Sequence, residues 1–554
     1  FRSNIAGRVR IDNSHTKYEQ KLYASSNATI TEESTQGHYT IAKPDETQTY
    51  ADVLANINKR FGDYSLVANV GASIVNNKFE ELSYRGPIRE KGIPNVFNVF
   101  DLDNAKKKAR QDEWQEQTQS IFASVEVGWK SMLYLTLTGR NDWASQLANS
   151  STSSFFYPSV GLSGVISEMI QMPSFIDYMK VRGSFSSVGM PYPRNLTSPT
   201  YEYNEATQSW KPKTHYPIGD LKPERTDSWE VGLDMKLFKD FNLGLSWYLA
   251  NTFNQTFDPQ ISVSSGYTTI YLQTGYVRNT GLELSLGYGH TWNNNFRWDS
   301  NFTLSHNKNK IKELVRDYVH PETGELINKD RLDVGGLGKA RFILKEGGTL
   351  GDLYTQSDLK RDDNGMVDID PTGIVAIENN LPDIKLGSVF PKANLAWSNH
   401  FSWKGISLSA LFTARIGGIV YSATEAAMDQ YGVSERSALA RDNGGVLVNN
   451  RTLVDAQNYY TTIGSESGLP QYYTYNATNV RLQEASIGYL IPRKWLGNVC
   501  DIQVSVIGRN LWMIYNKAPF DPESVATTDN YYQGIDYFML PSTRNIGFNV
   551  KINF

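Results

Sequence analysis

One cysteine, seven histidines and no long apolar run set the first limits on this 554-residue sequence. Cys500 has no possible partner within the chain, so no internal disulfide can form. It falls in the alternation Cys500, Ile502, Val504, Val506 and reads as a small apolar residue. No window approaches the roughly 18 consecutive apolar residues of a transmembrane helix, which excludes a helical membrane protein. An excess of one charge is missing too. The net charge is -4, the pI about 6.1, and no basic stripe favours nucleic acid as a partner. His15, His38, His215, His290, His306, His320 and His400 share no metal-ligand spacing, and no Ser-His-Asp set can be argued from positions so dispersed. No glycine-rich phosphate loop stands between a strand and a helix. These absences point away from an enzyme.

What is present is alternation. From Ser542 to Phe554 the apolar residues are Ile546, Phe548, Val550, Ile552 and Phe554, with Asn545, Gly547, Asn549, Lys551 and Asn553 between them. A strand turns successive side chains to opposite faces, so one face of this one is oily and the other polar. Phe548, Val550, Ile552 and Phe554, closing on an aromatic residue, form the insertion signal expected of a last outer-membrane strand. Trp229, Val231, Leu233, Met235 and Leu237 repeat the pattern against Glu230, Asp234 and Lys236. Hairpin pairs recur along the chain, and about sixteen strands are expected.

The connections alternate between short turns and long loops at about 13–48, 77–116, 189–220, 311–387, 418–477 and 512–541. Outer-membrane barrels have this asymmetry because their two rims face different compartments. Phe61, Trp129, Phe238, Phe241, Trp292, Phe296, Trp298, Trp403 and Trp495 cluster by the short turns, as an interfacial girdle would. The fold expected is therefore all-β: a transmembrane antiparallel β-barrel in the outer membrane, in contact with its lipid. A porin of about sixteen strands conducting small solutes passively has the right size.

Two further readings concern the loops. Tyr201, Tyr203, Trp210, Tyr472, Tyr531 and Tyr532 are candidate substrate-binding rings, able to stack on sugar faces beside polar neighbours. Packing between loops, an outer girdle or a protein interface would use the same rings. In Lys360 to Pro371, Asp362, Asn364 and Asp368 fall at ligand positions of a calcium loop, but Lys360 and Pro371 stand where acids are required. No other cofactor is expected.

Several stretches resemble the SusC/RagA family of TonB-dependent outer-membrane transporters: Thr49 to Asp63 (TYADVLANINKRFGD), Ser131 to Ser145, Phe155 to Ser167, Val181 to Gly189, Leu221 to Asp234 (LKPERTDSWEVGLD), Tyr276 to Tyr288 and Arg544 to Phe554. The resemblance implies a 22-stranded barrel closed by an amino-terminal plug. Against that, the sixteen strands here would be the carboxy-terminal portion, with the plug outside this chain. It also implies a SusD-like surface lipoprotein, coupling to TonB-ExbB-ExbD, and import of oligosaccharides or, as a second cargo, oligopeptides.

Overall fold

The computed structural model describes residues 2–24, 35–150, 152–192, 194, 196, 201–204, 209–212, 215–216, 222–257, 269–270, 272–292, 295–319, 324, 326–465, 467–527 and 532–553. The chain divides into two compact units: residues 1–160, 188–212 and 217–223, and residues 161–187, 213–216 and 224–554.

The first unit is built on β1 (Arg2–His15), β2 (Tyr18–Tyr23), β3 (Gly37–Phe61), β4 (Tyr64–Pro87), β5 (Lys108–Trp129) and β6 (Leu133–Ala144). β1 and β2 both pair with β3, at Asp45–Asn58 and Gly37–Ala42, so they are one strand broken at Thr16 and Lys17. β3, β4, β5 and β6 then pair in sequence, all antiparallel. Residues opposite one another share a face, and that face is legible. Ile5, Val9 and Ile11 on β1, Val53 and Ile57 on β3, Val70 on β4 and Ile121 and Val127 on β5 form one exposed apolar surface.

The apolar stripe stops near Ile11, Ala51, Ile74 and Ile121. Above it the same face carries Thr47, Asp45, Lys78, Glu80 and Glu113. A barrel strand spans the bilayer in about 9–11 residues. β3 has 25 and β4 has 24, so more than half of this hairpin stands in water. The expected loops 13–48 and 77–116 are corrected accordingly: half or more of each is strand. With water on both sides the segment needs no hydrophobic period, so alternation could not reveal it. Ile88 and Leu102 are buried at its far end.

In the second unit β7 (Phe155–Val165) and β8 (Ile176–Met190), which begin or end in the first, contribute residues 161–187. β9 (Glu224–Leu237), β10 (Phe241–Phe257), β11 (Leu272–Thr291), β12 (Arg297–Glu313), β13 (Ala393–Trp403), β14 (Ile406–Ile416), β15 (Asn479–Ile491), β16 (Asp501–Asn516) and β17 (Asn545–Asn553) complete it. β9 to β17 pair successively and antiparallel. With β1 and β2 joined, the described barrel strands number sixteen, and the chain has the all-β antiparallel fold of an outer-membrane barrel.

The loops after β12 and β14 fold into a compact body, where the sequence suggested only loop. A four-stranded sheet of Arg331–Leu337, Ala340–Lys345, Asp352–Thr355 and Ile384–Ser388 packs with α1 (Ala423–Gln430), α2 (Glu435–Asp442) and α3 (Ala456–Ile463). Their shared core contains Phe342, Leu353, Tyr421, Ala426, Leu469 and Tyr473. Side-chain caps start all three helices. Ser422, Ser434 and Asp455 accept from the amides of Glu425, Ser437 and Asn458.

Candidate functional site

Away from its bulges, the register of β9 to β17 sorts residues to one of two walls. Trp229, Val231, Trp247, Leu282, Leu286, Trp397, Leu408, Val504, Val506, Ile546 and Phe548 are exposed on the apolar side, Phe548 to 82%. Val550 and Ile552 join them, whereas Phe554 lies outside the described residues. The other wall is small and polar: Asn242, Gly244 and Ser246 face Gly287, Ser285 and Glu283, which face Asn301, Thr303 and Ser305, then Ser398, Ala396 and Asn394. Such a wall offers hydroxyls and amides to a solute and leaves room for it.

Near the short-turn end the polar wall opens into a concavity of about 610 Å³ lined by Lys236, Asp240, Tyr288, Arg297, Asp299, His400 and Glu484. A second, of about 390 Å³, lies among Gly244, Ser246, Ser285, Thr303 and Asn394. Charges in this wall are mostly compensated locally. Arg297 grips Asp299 through two bonds of 2.6 and 2.7 Å, and Arg509 donates to Glu484 at 2.9 Å. Higher up, Arg182 bridges Glu230, Asp234 and Ser246 at 2.9, 3.0 and 2.6 Å. Asp299, His400 and Ser409 stand in one cross-strand row, and His400 Nδ1 is 2.8 Å from the Ser409 hydroxyl. Arg297 occupies the Asp299 carboxylate. None of these wall residues was singled out from the sequence as a site; the signal that could have found them was the polar half of each alternation.

The loop body uses its aromatic residues for packing. Tyr472, one of the candidate substrate-binding rings, packs with Tyr459 and Tyr460 against the loop core. Burial pushes the phenol of Tyr459 up to about 12 and raises that of Tyr472. Tyr473 is fully buried and donates to Asp429 at 2.8 Å, while Arg436 Nε approaches the same carboxylate at 2.7 Å. Trp210, at 68% exposed, and Tyr532, at 47%, remain open to solvent. Tyr201 and Tyr203 lie in a short strand, Tyr201–Asn204, paired with Ser209–Pro212; their side chains, and Tyr531 altogether, lie outside the described residues.

In the 360–371 segment the candidate calcium ligands are engaged in turns. The Asp362 carboxylate accepts from the amides of Asn364 and Met366 at 2.9 Å each, and Lys360 holds Asp368 at 2.9 Å. Asp370 repeats the arrangement eight residues on, accepting from Thr372 and Ile374. Among the described residues no three His, Cys, Asp or Glu side chains are grouped to hold a metal.

The family model described as TonB dependent receptor-like, beta-barrel matches residues 3–511. Among curated relatives, TonB-dependent receptor P3 of Formosa agariphila is 23% identical over 93% of this chain and 53% of its own length. TonB-dependent receptor P26 of the same organism is 24% identical over 82% of this chain and 48% of its own. This chain thus spans about half the length of these relatives. The solved RagAB peptide transporter superposes over the whole chain and 60% of its own, with a TM-score of 0.77 at 17% identity.

Proposed function

Because the chain belongs to the TonB-dependent receptor-like β-barrel family of the outer membrane, we propose that it forms the conducting wall of an active importer of oligosaccharides, with oligopeptides as the alternative cargo. The observation that carries the reading is the polar wall of β9 to β17, whose small hydroxyl and amide side chains and locally neutralised charges suit an uncharged, many-hydroxylated solute. The polypeptide arm draws on the RagAB likeness, since that protein is titled a peptide transporter. Exposed Trp210 and Tyr532 are rings a ligand could stack on. Coupling to TonB-ExbB-ExbD and a SusD-like lipoprotein over the long loops belong to the same proposal. Family membership and the folded loop body weigh against the passive porin.

The test offers labelled oligosaccharide and oligopeptide pools to cells with the gene intact or deleted, with and without a protonophore. Uptake of one pool that is lost on deletion and on protonophore treatment identifies the cargo. Uptake that survives the protonophore supports the porin. If deletion changes neither pool, the proposal fails.

A further inference from the structure

On β12 the apolar side of the wall continues into cations. Phe302 lies opposite Leu286 and Trp397, Leu304 opposite Leu284 and Leu395, and His306 opposite Leu282. The next residues on that face are Lys308 opposite Thr280 and Lys310 opposite Arg278; the register then shifts, leaving exposed Lys312 in the bulge beside Glu313, which stands opposite Tyr276. All three lysines are exposed and, among the described residues, none has an ion pair. Among the described residues Arg278 bonds neutral groups, Asn251 Oδ1 at 2.9 Å and the Tyr276 hydroxyl. The intervening residues face the other way and are buried: Asn309 accepts from the Leu350 amide at 2.9 Å, and Ile311 has no exposure. The lysines therefore cannot turn inward without displacing the loop body.

Height identifies what they meet. Trp298, on the same face near the short turn, stacks with Phe401 at 5.9 Å in the aromatic girdle. From Trp298 to Lys308 is ten residues, which at about 3.3 Å each and a tilt of about 40° rise about 25 Å, the height of a barrel's apolar band. Lys308 thus leaves the hydrocarbon where β12 runs toward a long loop, at the outer surface. Unpaired cations at a lipid interface attract anionic headgroups, and a lysine's flexible stem reaches them. From this we propose that Arg278, Lys308, Lys310 and Lys312 bind the phosphate groups of a glycolipid in the outer leaflet.

The protein is purified from outer membranes, and its bound phosphorylated glycolipid is quantified by native mass spectrometry. Delipidated protein in zwitterionic nanodiscs is then titrated with diphosphorylated glycolipid, its dephosphorylated form, or inorganic phosphate. Wild type is compared with K308Q/K310Q/K312Q and with a charge-matched control at short turns, K130Q/K404Q/K494Q; heat-modifiable gel mobility reports folding. Expected is about a hundredfold weaker binding of the phosphorylated glycolipid by the triple lysine variant, with the control unchanged. Should the triple variant not fold, K310Q alone should weaken binding about fivefold. The proposal is overturned by equal binding in variant and wild type, by equal binding of the dephosphorylated lipid, or by inorganic phosphate displacing the lipid at equal concentration. It is likewise overturned if the variant keeps its lipid but loses a co-purifying protein.

Discussion

Gly281 stands opposite Tyr248 on the polar wall, and the phenol ring lies over the space a β-carbon would take. An aromatic ring covering a cross-strand glycine fills the gap left by the missing side chain. Gly281→Val forces the ring off and is expected to cost about 1–3 kcal/mol, read as a lower heat-modification temperature. Val504 and Ser505 test the assignment of the two walls. Val504→Arg on the lipid side should cost about 2–4 kcal/mol and reduce insertion, whereas Ser505→Arg, facing the polar side, should insert normally. Equal behaviour of the pair would reject the assignment.

Asp383 carries a pH prediction for the loop body. Hydrogen bonds from Arg331 hold its carboxyl well below the usual carboxylate range, against the opposing effect of burial and with help from Lys345. A depressed folded value means the stabilisation is complete above the unfolded value of about 3.9 and is lost as pH falls below it. Hydrogen exchange in residues 331–388 should accelerate below about pH 4. In Asp383→Asn that acid dependence should flatten, and exchange at neutral pH should already be faster.

At the scale of elements, the tight turns depart from expected chemistry. Lys130 and Ser131 have φ of 51 and 59°, and Phe238 and Lys239 have 50 and 64°. Both pairs sit in the left-handed region, which suits the twist of a hairpin but penalises residues with a β-carbon. Replacing Lys130-Ser131 by Asn-Gly should stabilise the β5–β6 hairpin by about 1 kcal/mol, checked by the urea dependence of unfolding in detergent. The turn positions themselves were legible, because the apolar period of Leu133, Leu135 and Leu137 restarts immediately after them. The length of β3 and β4 was not, because Asp45, Lys78 and Glu80 have water on both sides of the sheet and carry no period. The three helices after β14 escaped for a related reason. They are short, and their apolar residues serve the loop core around Tyr421 and Tyr473 rather than a regular face.

At the scale of the whole molecule, the exposed loop rings bear on transport. Trp210→Ala and Tyr532→Ala are expected to weaken uptake of the cargo several-fold without changing the amount of inserted protein, whereas Tyr472→Ala should lower loop-body stability instead. The measurement is uptake per inserted molecule beside protease sensitivity of the loops. An effect of Tyr472→Ala on uptake alone would restore that ring as a ligand contact.

By itself the sequence determined the membrane, the number of strands and the two walls, because lipid on one side and water on the other impose a period of two that each strand must obey. Ile546, Phe548, Val550 and Ile552 could be assigned to lipid before any fold was known. Tertiary structure alone decided which polar residues meet. Asp299, His400 and Ser409 are more than a hundred positions apart at their extremes and share one row only through strand register. It alone also decided that Tyr472 packs while Trp210 stands open, because burial is set by what the loops fold against and a ring's chemistry is the same in both places.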